Sequence, residues 1–314
     1  MPGVTKVNVS PAEAGQKLLN FLQRRVGDVP GAALLRWIRT GQVRVDGGRK
    51  KPFDRLQAGQ RVRIPPYGEP EEKPGTNATA DLEVVSENAE TLVLAKPAGL
   101  PSHGGTGHAD SIADRLAARY RGADFAPTLA HRLDKDTSGL LLVAKTYRRL
   151  RELNSLMAKG GLHKSYLAWV RGDWPGHQEE LLEDRMEKSG RSGQEKVCTG
   201  AGKAALAYVT PLLRRNACTL LLVRLLTGRT HQIRVQLASR GHSIVGDRKY
   251  GPEREKSEHA GLLLHACHLE LPDLDLTLPP AWADPWDVPE RFLHFTSRRA
   301  EDMTKEPGAT NANK

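Results

Sequence analysis

Apolar positions recur with two different periods along this chain, and the change of period divides it. In residues 11–26, Leu18, Leu19, Leu22 and Val26 return every three or four positions while Lys17, Arg24 and Arg25 lie off the centre of that face, which predicts an amphipathic helix. A turn through Gly27 and Pro30 follows. In residues 32–40, Leu34, Trp37 and Ile38 form a second helical stripe, Arg36 and Arg39 project away from it, and Gly41 is placed to end the helix. The period then drops to two. Val43 and Val45 alternate with Gln42 and Arg44 before an Asp46-Gly47 turn, and Val62 and Ile64 alternate with Arg61 and Arg63. The predicted order is helix, helix, strand, strand, with one face of each element packed and the other carrying arginine.

Beyond residue 81 β-rich runs dominate: LEVV (82–85), TLVLA (91–95), LLLVA (140–144), SYLAWV (165–170), ALAYV (205–209) and TLLLVRLL (219–226). Helical spacing intervenes at Ile112, Leu116 and Tyr120, and again at Leu150, Leu153, Leu156 and Met157. The predicted fold class is α+β, with a mixed, largely antiparallel sheet in a domain over residues 81–298. Residues 67–80 fall in PPYGEPEEKPGTNATA, which has no apolar period and predicts a linker that lets a small N-terminal domain, residues 1–66, swing. Residues 299–314 close with EPGATNANK, which holds no large apolar side chain and predicts a disordered tail.

Charge sharpens this division. Residues 1–66 hold 13 Lys+Arg against 4 Asp+Glu, whereas residues 67–314 hold 34 against 33, so the net charge of +10 sits almost wholly in the small domain. A compact basic unit is the footprint of a grip on a phosphate backbone, and Lys17, Arg36, Arg39 and Arg44 are its candidate RNA contacts. No apolar run approaches the roughly 18 residues of a membrane helix and residues 1–10 lack a signal-peptide core, which places the protein in the cytoplasm without a membrane partner. Cys198, Cys218 and Cys267 form no CxxC pair, so reduced thiols are expected. His103, His265 and His268 lack ligand spacing, and no metal is expected.

Candidate chemistry concentrates in HRLDKDTSGLLLVAK (131–145), where Arg132, Asp134, Lys135 and Asp136 crowd the entry to a buried strand. One turn residue would serve an ordinary strand entry, so charge this close to a core implies use, although a turn with a salt bridge is the plainer alternative. HRLDKDTSG resembles the signature of the RluA-type pseudouridine synthases, in which the aspartate after Arg-Leu is catalytic, which maps the role onto Asp134. The likeness continues through AKPAGLPSHGG (95–105), GLHKSYLAWVRG (161–172), LLTGRTHQIRVQLASRGH (225–242) and GLLLHACHLEL (261–271). Residues 11–66 are similar to an S4 RNA-binding domain.

The resemblance implies cofactor-free isomerisation of specific uridines in large-subunit (23S) ribosomal RNA, with no DNA partner and a monomeric enzyme. The bond from base nitrogen to ribose breaks, the base turns and a bond from carbon replaces it, which needs a group that adds and later leaves; a carboxylate suits this. Whether Asp134 attacks the base or the sugar, or acts as a base at the sugar, stays open. A carboxylate kept ionised in a pocket that excludes water needs a fixed cation beside it, and the GRTHQIR motif gives that part to Arg234. By spacing alone Tyr166, alternating with Ala168 and Val170, is a core position. The family motif Lys-x-Tyr instead implies that it stacks on the target base and takes part in a late proton transfer. Lys164, His131, Arg229 and His231 are the further RNA contacts implied, and Arg132 is the candidate to fill the gap left by an extruded base. Gln236 stands where many relatives carry histidine, which puts a peripheral RNA contact in doubt. The competing readings are a non-catalytic S4-type ribosome-binding or assembly factor, an RNA methyltransferase, for which no strand leads into GxGxxG, and a glycosylase using Asp134 and Asp136.

Overall fold

A computed structural model describes residues 3–27, 29–67, 81–104, 110–189, 196–252 and 261–293. The expected linker beyond Tyr67 and the expected tail lie outside the described residues.

The N-terminal unit runs β1 (Thr5–Asn8), α1 (Leu18–Val26), α2 (Gly31–Arg39), β2 (Arg44–Val45) and β3 (Arg61–Ile64). Its antiparallel sheet has the order β1-β3-β2 and shares a core with both helices, built on Phe21, Leu22, Leu34, Ile38, Val62 and Ile64. Two expectations are corrected. β1 was missed because TKVN offers one apolar residue, Val7, and owes its conformation to pairing with Val62 across β3. α1 begins at Leu18, not residue 11, because Gly15 turns the chain at φ 86° and its N–H reaches the Leu56 carbonyl at 2.7 Å.

The large domain follows with β4 (Val84–Glu87), β5 (Thr91–Lys96), α3 (Ile112–Arg119), β6 (Thr128–Leu129), β7 (Ser138–Ala144), α4 (Tyr147–Ala158), β8 (His163–Arg171), β9 (Glu180–Ser189), β10 (Lys196–Thr199), β11 (Lys203–Arg215), β12 (Cys218–Leu225), α5 (Gln232–Ser239), β13 (Leu264–Leu271) and β14 (Leu274–Thr277). They build a mixed sheet of order β10-β9-β11-β12-β8-β13-β7-β5-β4, with β14 added on β13 and β6 on β7. Only β7 and β13 pair in parallel among the described strands. All six apolar runs became strands. β9 escaped detection because position 184, which shares the inward face with Leu182 and Met186, is an aspartate; it is bonded to Gln236 and Arg240.

Helices cover both faces. Ile112 and Leu116 of α3 pack with Ile233 and Leu237 of α5 in one cluster, and Leu150 and Leu153 of α4 lie in another with Leu140 and Leu142. α5 has no exposed face over most of its length: every side chain from Gln232 to Leu237 is buried. It is an inserted helix whose polar residues find partners inside.

The two units touch. Arg24 donates to Thr128 Oγ1 at 2.8 Å with its guanidinium 4.5 Å from the centre of the Phe125 ring, and the Tyr147 N–H reaches the Ala12 carbonyl at 2.9 Å. The expected swing is therefore corrected to a seated unit, and Arg24 serves the seat. Among the described residues no helix is long and apolar enough to cross a membrane.

The β7–β13 junction brings the two halves of the sheet together at Gly139 opposite Ala266. Gly139 sits at φ 113°, and a Cβ there would collide with the Ala266 backbone. Gly139→Ala should cost about 2–5 kcal/mol from overpacking and backbone strain together, whereas Gly160→Ala, at φ 75° with open space around it, should cost only about 1 kcal/mol. Urea denaturation of both variants checks the contrast.

Candidate active site

Asp134 lies in the tight loop between β6 and β7, and the loop is held by its backbone. Lys96, at the end of β5, is almost fully buried, and its ammonium donates to the carbonyls of Pro97 and Leu100, both at 2.7 Å, and of Lys135 at 2.9 Å. All three donors are used. Burial pushes the Lys96 pKa down to about 8, with the charges of Asp136 and Asp134 working against that shift. On the other side of Asp134, Ser102 donates to the Leu133 carbonyl at 2.7 Å and accepts the Leu133 N–H at 3.0 Å. The KPAGLPS segment thus clamps the peptide groups flanking Asp134.

Arg234 reaches the loop from α5. Its Nη1 donates to Asp134 Oδ2 at 3.2 Å, while Nε and Nη2 each donate to Asp247 at 2.8 Å in a two-pronged pair. Burial opposes the charged guanidinium, but Asp247 first and Asp134 second reverse this and raise its pKa. Burial likewise works against the Asp247 carboxylate; Arg234 and the N–H groups of Lys249 and Tyr250 overcome it and hold the pKa below the usual range. His231 is the N-cap of α5 in a left-handed conformation at φ 54°, which turns its ring back toward the loop: Nε2 lies 3.9 Å from Asp134 Oδ2, and Nδ1 is 2.7 Å from the Tyr250 hydroxyl. Burial lowers the His231 pKa against the pull of Asp134.

Asp134, His231 and Arg234 line a cavity of ≈650 Å³. Tyr166 sits in its wall, 5% exposed, and burial together with the Asp134 charge raises its pKa, which keeps the phenol protonated. Arg132, Lys164, His131, Arg229 and Ile233 complete the same lining. A second cavity, ≈730 Å³, opens on the other side of Asp134 and is bordered by Ser102, His103, Arg132, Asp136, Arg248 and Lys249. Asp134 and Arg234 border both.

With that geometry established, similarity to known proteins can be weighed. Residues 90–239 match the family described as RNA pseudouridylate synthase. Over 289 residues, 88% of this chain and 90% of the relative, the sequence is 38% identical to ribosomal large subunit pseudouridine synthase C of Escherichia coli K12. The chain belongs to the RNA pseudouridylate synthase family. A second pseudouridine synthase C, from Haemophilus ducreyi, is 38% identical over 82% of this chain and 84% of its own. The solved structure of human RNA pseudouridylate synthase domain containing 1 shares the synthase fold, with a TM-score of 0.57 at 24% identity over 69% of this chain and 89% of that one. The chain is accordingly a pseudouridine synthase, an isomerase.

In this synthase the structure gathers Asp134, Tyr166, Arg234, Arg132, Lys164, His131, Arg229 and His231 about one cavity. Lys17, Arg36, Arg39 and Arg44 belong instead to the N-terminal unit: Lys17 lies over the Phe53 ring, Arg44 donates to the Gly41 carbonyl, and Arg36 and Arg39 are exposed. Gln236 is fully buried and bonds Asp184 at 2.8 Å, so it supports β9 and is no RNA contact. His265 is bonded to Ser138 and the Leu278 carbonyl, and His268 to Asp275. The sequence reading missed Asp247, Tyr250, Lys96 and Ser102. A signal for the first pair existed in SIVGDRKYG (243–251), where an acid follows the apolar pair Ile244 and Val245 after a single glycine.

Asp247→Asn should remove one carboxylate from a buried pair and cost about 3 kcal/mol or more at neutral pH. Because the folded-state pKa of Asp247 is depressed, its contribution is complete above about pH 4 and fades as pH falls further through the folded value. The stability gap between wild type and Asp247→Asn, read by urea denaturation, should therefore shrink below about pH 4, and isomerisation should slow as Arg234 loses its anchor.

Proposed function

We propose that this synthase converts specific uridines of large-subunit (23S) ribosomal RNA to pseudouridine, with Asp134 as the catalytic carboxylate. The observation that carries this reading is Asp134 at the meeting of two cavities, with Arg234 3.2 Å away and Tyr166 in the adjoining wall. The substrate is the one for which the Escherichia coli and Haemophilus relatives are named, the ribosomal large subunit.

The reaction is redox-neutral, since the base is detached, turned and reattached through carbon, and side chains alone suffice for it. Arg234 pairs with Asp134 at 3.2 Å and keeps it aimed while the substrate displaces water from around it. Tyr166, held as the neutral phenol, offers a flat face for the extruded uracil. Arg132, exposed beside Asp134, takes the vacated place in the RNA stack through its planar guanidinium. Lys164, His131, Arg229 and His231 hold the nucleotide and its neighbours.

The N-terminal unit, with the predicted S4-like helices and strands, adds a second RNA grip through Arg36, Arg39 and Arg44, with Lys17 beside them. It raises affinity and sets placement. The protein works as a cytoplasmic monomer on RNA, with no membrane or DNA partner.

Pseudouridine mapping by carbodiimide labelling and primer extension on unmodified large-subunit rRNA tests the assignment. Wild type should create new sites and Asp134→Asn should create none, its rate falling by at least about 10³-fold as for loss of a covalent or proton-transfer group. Tight binding by wild type without any new site would sink the enzymatic assignment on this RNA. Separately, Arg36→Gln with Arg39→Gln should reduce the slope of log affinity against log salt by about 1.5 to 2 if each arginine meets a phosphate; an unchanged slope would remove α2 from the RNA surface.

A further inference from the structure

Lys164 presents a problem that the chemistry above leaves unsolved. The lysine and arginine side chains most deeply buried in the large domain are compensated: Lys96 by three carbonyls, Arg149 by Asp273 and Thr91, and Arg234 by two carboxylates. Lys164 is half-buried in the wall of the ≈650 Å³ cavity, and among the described residues its ammonium has no hydrogen-bond or ion-pair partner. Burial lowers its pKa with no acidic neighbour opposing the shift. A half-buried ammonium without a partner has lost part of its hydration and gained nothing in exchange.

Among the described residues no acceptor is bonded to this ammonium. His131 is neutral, with a pKa pushed to about 3 by burial and by the Lys164 charge, and its Nε2 already accepts the Leu142 N–H at 3.2 Å. In the same lining Arg229 brings a second cation, anchored through Nε to the Ala204 carbonyl at 2.9 Å. Gly228 beside it leaves the ammonium uncovered, since even a Cβ there would come within 3.7 Å of Lys164 Nζ. A group that carries negative charge and accepts hydrogen bonds therefore suits this position best.

We propose that Lys164 and the Gly228-Arg229 loop form a phosphodiester subsite for the backbone adjoining the target nucleotide. This rests on RNA being the substrate, as argued above. Lys164 and Tyr166 lie two residues apart on the same face of β8, a separation of about 7 Å, so a base lying against Tyr166 brings its own backbone toward Lys164. A uracil carbonyl could accept a hydrogen bond but would leave the ammonium's charge unbalanced; a phosphate satisfies both demands.

The test uses the full-length protein, a large-subunit rRNA fragment that wild type modifies, a salt series and thermal unfolding. Lys164→Met should weaken binding roughly tenfold or more and reduce the salt slope by about 1, while its Tm stays at or above that of wild type. Gly228→Leu, which keeps the lysine and covers it, should weaken binding to a similar extent. Weaker binding by Lys164→Met with an unchanged salt slope would overturn the subsite in favour of a neutral base contact. A lower Tm for Lys164→Met would overturn it in favour of a structural role, as would unaltered binding by both variants. If wild type itself neither binds nor modifies large-subunit rRNA, the substrate assignment falls, a result visible without any variant.

Discussion

One guanidinium shared between two carboxylates organises the catalytic half of this protein. Arg234 spends Nε and Nη2 on Asp247 and has Nη1 left for Asp134. The two-pronged pair fixes the plane of the guanidinium, so the direction in which Nη1 points is set by a residue outside the reacting centre. Each charge would be expensive alone in this setting, and the arrangement is tolerable because all three sit together. The helix that carries Arg234 is buried on every side, and its N-terminal residue His231 adopts a left-handed backbone that turns the ring toward the same carboxylate.

The sheet exists around that meeting. β7 delivers Asp134 at its entry, β8 delivers Tyr166 and Lys164, and the end of β12 leads into α5 and Arg234. β13 lies between β7 and β8, so its parallel contact with one and antiparallel contact with the other determine how far Asp134 stands from Tyr166. A close approach at Gly139 is needed for that register, which explains a glycine at the start of an otherwise aliphatic strand.

Much of this was legible beforehand, for identifiable reasons. β5, β7, β8 and β12 announce themselves because central strands are apolar on both faces, and HRLDKDTSG stands out because charge seldom crowds a core strand. The failures share a cause: the stabilising partner was remote in sequence. β1 depends on β3, Asp184 in β9 depends on Gln236, and the seat of the N-terminal unit depends on Arg24 meeting Phe125. Asp247 and Tyr250 carry no local signature of a site beyond an acid close behind an apolar pair, and their purpose shows only when the chain folds them against Arg234 and His231. The same holds for Lys164, whose lack of a partner is a property of three-dimensional neighbours and is invisible in HKSY.

The loop bearing Asp134 is gripped through peptide groups, with Lys96 and Ser102 bonding carbonyls and an N–H of Leu133 and Lys135. Main-chain atoms are common to nearly all residue types, so the clamp does not read which side chain occupies position 135. The solvent-facing residues of this loop are thereby released from holding the carboxylate in place. Such a loop can change the surface it shows to different RNA partners while its reactive group keeps the same address.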